Sequence, residues 1–162
     1  MYRCQNHVQL DDYTLKSVKS FCYLGSTVTT TASMDNEVSL RISKSCTSFG
    51  NLRHRLWSER GIKLSTKIAI YRAVVIPTLL YSAEAWTPYR KHISQLDAFH
   101  MRCLCSILGN TWEDKVTNRD VLTRCNIMAI RCTLIKQQTR WAGHVIRMYE
   151  DGIPNSLLYS QL

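Results

Sequence analysis

The chain has 162 residues, of which 45% are hydrophobic, so it can form one modest hydrophobic core or a continuous part of a larger protein. Its 21 lysines and arginines outnumber 12 aspartates and glutamates, and the net charge of +9 favours polyanionic partners over acidic small molecules. Residues 1–12 show no secretory signal pattern, the most apolar stretch (68–86) is interrupted by charged residues, and the number of cysteines, seven, is odd. We therefore expect a reduced, nuclear or cytoplasmic protein that is neither secreted nor inserted in a membrane.

The first 31 residues alternate between apolar and polar side chains in the manner of short strands. Segments 7–10 and 13–18 flank Asp11 and Asp12, and a further run at 21–28 contains Gly25. We predict a small β hairpin and a following strand in a first region, 1–31. Paired aspartates can hold two Mg²⁺ ions in polymerases, but Asp11 and Asp12 stand where turn residues are expected, so we interpret them as a turn.

From residue 32 onward the apolar residues repeat at helical spacing. The predicted fold class is therefore mainly α with a small N-terminal β hairpin, in which about five helices form a bundle over 32–149 and a loose tail covers 150–162. The first predicted helix runs from an N-cap at Ser33 to Gly61, and the second from near Ser65 through Trp86 with a kink at Pro77. The third runs from Pro88 to Leu108 and ends at Gly109. A short fourth helix follows Thr117, and the fifth runs from Met128 to Met148. Asp35 and Glu37 fall in the first turn of the first helix, and Asp120 completes a capping box with Thr117.

The fifth predicted helix has two distinct faces. Its apolar face holds Ile130, Leu134, Trp141, Val145 and Met148, so we predict Trp141 as a core anchor. The opposite face is basic. A second basic flank lies along the first helix, beside Ser48 and Asn51. We predict that both flanks contact nucleic-acid backbone phosphates through Arg41, Lys44, Arg55, Lys136, Arg140 and Arg147. His144 also lies on the basic face. The alternative to phosphate binding is a basic surface that contacts only solvent.

Other candidate chemistry is weaker. Cys103, Cys105, Cys125 and His144 could be combined into a zinc set, but two cysteines two residues apart on a helix point about 200° apart and cannot bind one ion together. His100 lies on an apolar face and is interpreted as a core histidine. We predict no catalytic residue, no metal site and no cofactor.

Five segments in order carry a family resemblance: FCYLGSTVT, RISKSCTSFGNLRHRLW, LSTKIAIYRAVVIPTLLYSAEAWT, HMRCLCSILG and RWAGHVIRM. They resemble the region that follows the catalytic motifs in LINE-type (non-LTR) retrotransposon reverse transcriptases, and the similarity covers about residues 7–162. The resemblance implies a primer-grip strand at Phe21, Tyr23, Leu24 and Gly25, followed by a helical thumb.

This resemblance implies a non-catalytic part of an RNA-directed DNA polymerase that lacks the palm. Its expected partners are RNA and DNA as a template-primer duplex, together with an upstream palm and fingers if the chain belongs to a longer protein. No [FY]xDD segment is present, so the chain alone is not expected to be an enzyme. The alternatives are a small helical protein-interaction module and an inert retrotransposon relic.

Overall fold

Helices make up most of the computed structural model, which describes residues 9–10, 13–14, 18, 20–23, 25–29 and 34–148. The predicted mainly α class is confirmed. Within this part of the chain the six α-helices are α1 (Asp35–Asn51), α2 (Leu64–Ile70), α3 (Ile76–Leu79), α4 (Arg90–Leu108), α5 (Asn118–Cys125) and α6 (Ile130–Ile146). The predicted tail, 150–162, lies outside the described residues.

The N-terminal region contains two short antiparallel strand pairs. These are β1 (Gln9–Leu10) with β2 (Tyr13–Thr14), and β3 (Ser20–Tyr23) with β4 (Ser26–Thr29). In the second pair Tyr23 faces Ser26 across a two-residue connection, where Gly25 has a φ of 80° that favours glycine. The predicted turn residues Asp11 and Asp12 lie outside the described residues.

The first predicted helix is divided into two parts. Asp35 and Glu37 occupy the first turn of α1 as predicted, whereas the residue before the helix is Met34, and Ser33 lies outside the described residues. After α1 the chain forms a π-helical turn (Arg53–Trp57) instead of an unbroken α-helix to Gly61. The Trp57 ring stacks on Phe49 with centroids 4.9 Å apart, and its Nε1 donates to the Phe49 carbonyl at 2.8 Å. These contacts stabilise the wider turn.

The second predicted helix begins after Lys63 and ends earlier than expected. A π-helical turn (Tyr71–Val75) separates α2 from α3, and Pro77 follows it in the first turn of α3. Because proline has no N–H to donate, the interruption predicted at Pro77 takes the form of this wider turn. The extension to Trp86 was wrong: the helix ends at Leu79, and Ser82 has a positive φ before a short 3₁₀ turn (Ala83–Ala85).

The remaining helices match their predicted positions more closely. α4 starts at Arg90 behind Tyr89, not at Pro88, because the His92 ring accepts from the Tyr89 backbone N–H at 3.1 Å. It ends before Gly109, whose φ is 71°, as predicted. Thr117 caps α5 by accepting from the Asp120 N–H at 3.3 Å, which confirms the N-cap, whereas the Asp120 carboxylate accepts from the Thr117 hydroxyl at 2.7 Å and not, as a capping box requires, from its backbone N–H.

The hydrophobic core surrounds α4, which contacts α1, α2, α5 and α6. The predicted inner face of α4 is confirmed, since Leu96, His100, Cys103 and Ile107 are all buried. The largest fully buried side chains from other elements are Tyr71, Leu79, Leu80, Ile130 and Leu134. α4 therefore positions both α1 and α6, the two elements on which the predicted basic flanks lie.

No helix in the described part of the chain has the length and apolar character needed to cross a membrane. The cysteines at 22, 46, 103, 105, 125 and 132 are free thiols.

Candidate nucleic-acid interface

The basic face of α6 is continuous and exposed. Lys136, Arg140 and Arg147 are all exposed, and at 3.6 residues per turn they project within about 40° of one another around the helix axis. Among the described residues none of the three forms an ion pair with a carboxylate. The three side chains therefore form one exposed basic set on α6.

A groove of about 470 Å³ lies beside the C-terminal half of this face. Its lining residues are Glu84, Gln137, Arg140, Trp141, His144 and Arg147. The Trp141 and His144 rings lie 5.8 Å apart at 45°, and the Arg147 guanidinium lies against Gly143, where an added Cβ would be 3.4 Å from Arg147 Nη1. The groove thus combines two arginines with two rings on which a base or sugar can stack, and Glu84 is a carboxylate at its edge.

Trp141 was predicted to be a core anchor, and the structure contradicts this: 42% of the residue is exposed. Leu134 and Val145, on the same stripe of α6, are buried as predicted. In the described part of the chain α6 packs against the short 3₁₀ turn at Ala83–Ala85, and Gln138 donates to the carbonyls of Ala83 and Trp86. These contacts leave the indole partly open, and Trp141 lines the groove.

Arg41 was predicted to bind phosphate, and its burial contradicts that role, because only 4% of it is exposed. Its Nε donates to Glu37 Oε1 at 2.8 Å, its Nη2 donates to the Gly25 carbonyl at 2.7 Å, and its guanidinium lies 4.5 Å from the centre of the Tyr81 ring. Arg41 therefore fixes the β3–β4 turn onto α1. The helical period placed it beside the exposed flank, but the strand pair covers this position.

The rest of the α1 flank is exposed but does not join the α6 groove. Lys44 lies on α1, and Arg55 lies in the π-helical turn after it. Among the described residues, neither Lys44 nor Arg55 is part of the lining of the α6 groove. Arg53 lines a separate groove between α1 and α4 with Arg102 and Phe99. Because α1 and α6 both pack on α4, the basic residues form two separate sets that the same helix holds in place.

The residues of the predicted primer grip lie on the β3–β4 pair. Phe21 is 57% exposed and pairs with Val28 across the strands, and Gly25 occupies the turn that Arg41 holds. Tyr23 ends β3, and Leu24 lies outside the described residues. The strand pair thus presents Phe21 at the surface, and its role as a primer grip stays a prediction.

A buried polar chain lies within the core between the helices. The Tyr71 hydroxyl is 2.9 Å from His100 Nδ1, and burial raises the pKa of Tyr71 and lowers the pKa of His100 to about 4. Burial also raises the pKa of the Cys103 thiol to about 12. These shifts hold all three groups neutral near pH 7, so His100 is a core histidine, as predicted.

The four residues of the possible zinc set lie in different surroundings. Cys103 and Cys125 are buried, Cys105 is half-buried, and His144 is exposed in the α6 groove. In the part of the chain that the structure describes, no three His, Cys, Asp or Glu side chains are grouped so that they could hold a metal ion.

The sequence interpretation missed the exposed aromatic residue of the groove. In the segment 140–147 the rings of Trp141 and His144 stand between two cations, Arg140 and Arg147, a composition typical of nucleic-acid surfaces that is visible in the sequence. Trp141 was assigned to the core because its helical angle coincides with that of Leu134.

The chain matches no protein-family model, no curated protein and no solved structure.

Proposed function

We propose that this chain binds nucleic-acid backbone through the exposed basic face of α6 and acts, within a LINE-type reverse transcriptase, as a non-catalytic primer-grip and thumb region. The observation that carries the proposal is the grouping of Lys136, Arg140 and Arg147 on one exposed helix face beside a groove that contains Trp141. Cations on a rigid helix can follow a phosphate backbone without reading bases, and an exposed indole can stack on an unpaired base of the single-stranded template next to the duplex, whatever the base is. The partner is an RNA·DNA template-primer duplex, in the nucleus or cytoplasm.

The test is the salt dependence of binding to a fluorescent RNA·DNA duplex, measured by anisotropy from low to physiological salt. Binding that neutralises phosphates releases counterions, so affinity falls as salt rises. With Arg41 buried, five predicted cations remain, and we expect a log–log slope of about −3.5 to −4.5. Replacing Lys136, Arg140 and Arg147 together by alanine should make the slope shallower by about two to three units.

A second triple variant, matched in charge, is the control. Arg119, Arg124 and Lys115 are exposed on or beside α5, and none of them lines the α6 groove. Their triple replacement by alanine removes the same charge, and it should change the slope less. Circular dichroism should show that both variants keep their helices. Equal slopes for the two triple variants would mean that net charge, not the α6 face, drives binding.

A second candidate function, a protein-interaction module, is favoured by a different face of α6. Ile135 and Ile146 are each 55% exposed and project within about 20° of one another around the axis. An apolar protein interface is nearly indifferent to salt, so a flat slope for the unmodified chain would favour this reading over nucleic-acid binding.

A further inference from the structure

The basic groove beside α6 contains one carboxylate. Glu84 lines this groove together with Arg140 and Arg147, and its side chain is exposed. Among the described residues no ion pair joins Glu84 to either arginine. A carboxylate repels phosphate, so phosphate binding by the two arginines gains nothing from Glu84. A ligand group that donates hydrogen bonds would instead give this carboxylate a partner.

The backbone on both sides of Glu84 is held against α6. Glu84 is the middle residue of the 3₁₀ turn Ala83–Ala85, and Gln138 donates to the carbonyls of Ala83 at 3.4 Å and Trp86 at 2.9 Å. Ala83 and Trp86 are buried, whereas the Glu84 side chain is exposed. The turn therefore fixes the carboxylate at one edge of the groove.

The carboxylate and the arginines lie on opposite sides of the Trp141 indole. Around the axis of α6, Gln138, which holds the turn, is about 60° from Trp141 in one direction. In the other direction Arg140 is about 100° and Arg147 about 120° from Trp141. A planar base stacked on the indole would thus meet a carboxylate at one edge and guanidinium groups at the opposite edge. Stacking tolerates any base, so these two edges decide which base is preferred.

The four bases differ in how well they fit these edges. A carboxylate only accepts hydrogen bonds, and an arginine only donates them. Guanine offers two neighbouring donors, N1–H and the N2 amino group, to a carboxylate, and it offers the acceptors O6 and N7 to a guanidinium. Adenine and cytosine have an acceptor nitrogen beside the amino group, and uracil has a carbonyl oxygen on each side of N3–H. A carboxylate beside any of these three bases therefore faces an acceptor next to the donor.

We propose that the groove beside α6 binds an unpaired guanine, which stacks on Trp141, donates from N1 and N2 to Glu84, and accepts at O6 and N7 from the two arginines. The guanine site rests on the proposed function for the source of the base, since the single-stranded template next to the duplex supplies unpaired bases. The basic face holds the backbone without reading it, and Glu84 determines which base is bound beside it.

The experiment compares fluorescent RNA·DNA template-primers that differ only in the unpaired template bases next to the duplex, which are guanine, adenine, cytosine or uracil. Anisotropy titrations with the full chain should show about 10-fold tighter binding to the guanine overhang, within the range of one bidentate base contact. Hypoxanthine in place of guanine removes only the N2 amino group, and it should lose most of this preference. The ratio of the guanine and adenine affinities should stay constant as salt rises, because contacts to base edges release no counterions.

Glu84→Gln keeps the size of the side chain but removes the pair of charged acceptors. It should lower the guanine preference to about 2-fold or less. Glu113→Gln is the matched control, because Glu113 is exposed and is not among the described residues that line the groove. The control variant should keep the preference. Circular dichroism should show that both variants keep their helices.

Equal affinities for the four overhangs would overturn the guanine site, and so would a preference that hypoxanthine or Glu84→Gln leaves unchanged. If Glu84 only repels phosphate, Glu84→Gln should raise the affinity for all four overhangs by the same factor. The salt slope on the fully paired duplex decides the proposed function separately, since that duplex has no unpaired base. A steep slope without base preference would overturn only the guanine site, whereas a guanine preference with a flat slope would support the site and overturn backbone binding.

Discussion

Arg41 shows how burial changes the role of a charged residue. Its guanidinium is surrounded by the Glu37 carboxylate, the Gly25 carbonyl, the Ser26 hydroxyl and the Tyr81 ring. A charge taken out of water is tolerated only when it is paired and hydrogen-bonded, and here one side chain meets both conditions while it joins α1 to the strand pair. Arg41 therefore stabilises the folded chain and does not serve as a phosphate contact.

Arg41→Ala should lower the free energy of unfolding by about 3–5 kcal/mol, because it removes the buried cation that faces Glu37. Lys44→Ala, one turn further along α1 on an exposed site, should change it by less than about 0.5 kcal/mol. Urea denaturation followed by circular dichroism measures both. Equal losses for the two variants would show that the Arg41 contacts add nothing to stability.

His100 makes stability depend on pH. Its pKa is lowered from 6.5 to about 4, mainly by burial, so between these values the unfolded chain binds more protons than the folded chain. Stability should therefore be retained above pH 6.5 and lost as pH falls toward 4, by about 3 kcal/mol from this residue. Urea denaturation at pH 7, 5 and 4 measures how the free energy of unfolding changes with pH. The NMR signals of the His100 ring, followed over the same pH range, measure the pKa of this residue. Protonation of His100 near pH 6.5 in the folded chain would contradict this account.

At the scale of elements, α1 and α6 differ in what covers their apolar stripes. Trp57, after α1, is 4% exposed, stacks on Phe49 and donates to a backbone carbonyl, so its whole surface is packed. Trp141, on α6, is 42% exposed and lines the groove beside the short 3₁₀ turn. The same residue type thus anchors the core in one element and lines a groove in the other.

Trp57→Ala should cost about 3–5 kcal/mol of stability, because it leaves a large cavity in the core. Trp141→Ala should cost clearly less, since the indole is already 42% in solvent. It should instead weaken binding to an RNA·DNA template-primer with a single-stranded template overhang by about 1–3 kcal/mol, because an unpaired base can stack on the ring. Thermal melts and anisotropy titrations on both variants give the comparison. A larger stability loss from Trp141→Ala than from Trp57→Ala would show that the Trp141 side chain is part of the core.

At the scale of the whole molecule, we predict that the chain does not extend a primer by itself. Phosphoryl transfer by polymerases depends on metal ions held by carboxylates, and the sequence contains no [FY]xDD segment. Primer extension on an RNA template with Mg²⁺ or Mn²⁺ is the measurement. Extension that persists in the Asp11→Asn, Asp12→Asn double variant would reveal an active site elsewhere in the chain.

Local sequence determined much of the helical framework. Caps, stops and helix breaks depend on neighbours in the chain, so the N-cap at Thr117, the stop at Gly109 and the break at Pro77 could be interpreted correctly without a fold. The inner face of α4 also followed from periodicity, because a helix at the centre of a core has partners along its whole length.

Tertiary structure decided which of the residues with suitable chemistry are exposed. Helical period gives the angle of a side chain but not what lies opposite, so Arg41 was covered by the β3–β4 turn and Trp141 was left open beside a short 3₁₀ turn. Burial is set by contacts between residues far apart in sequence, and for that reason the composition of the basic face could be predicted while the groove beside it could not.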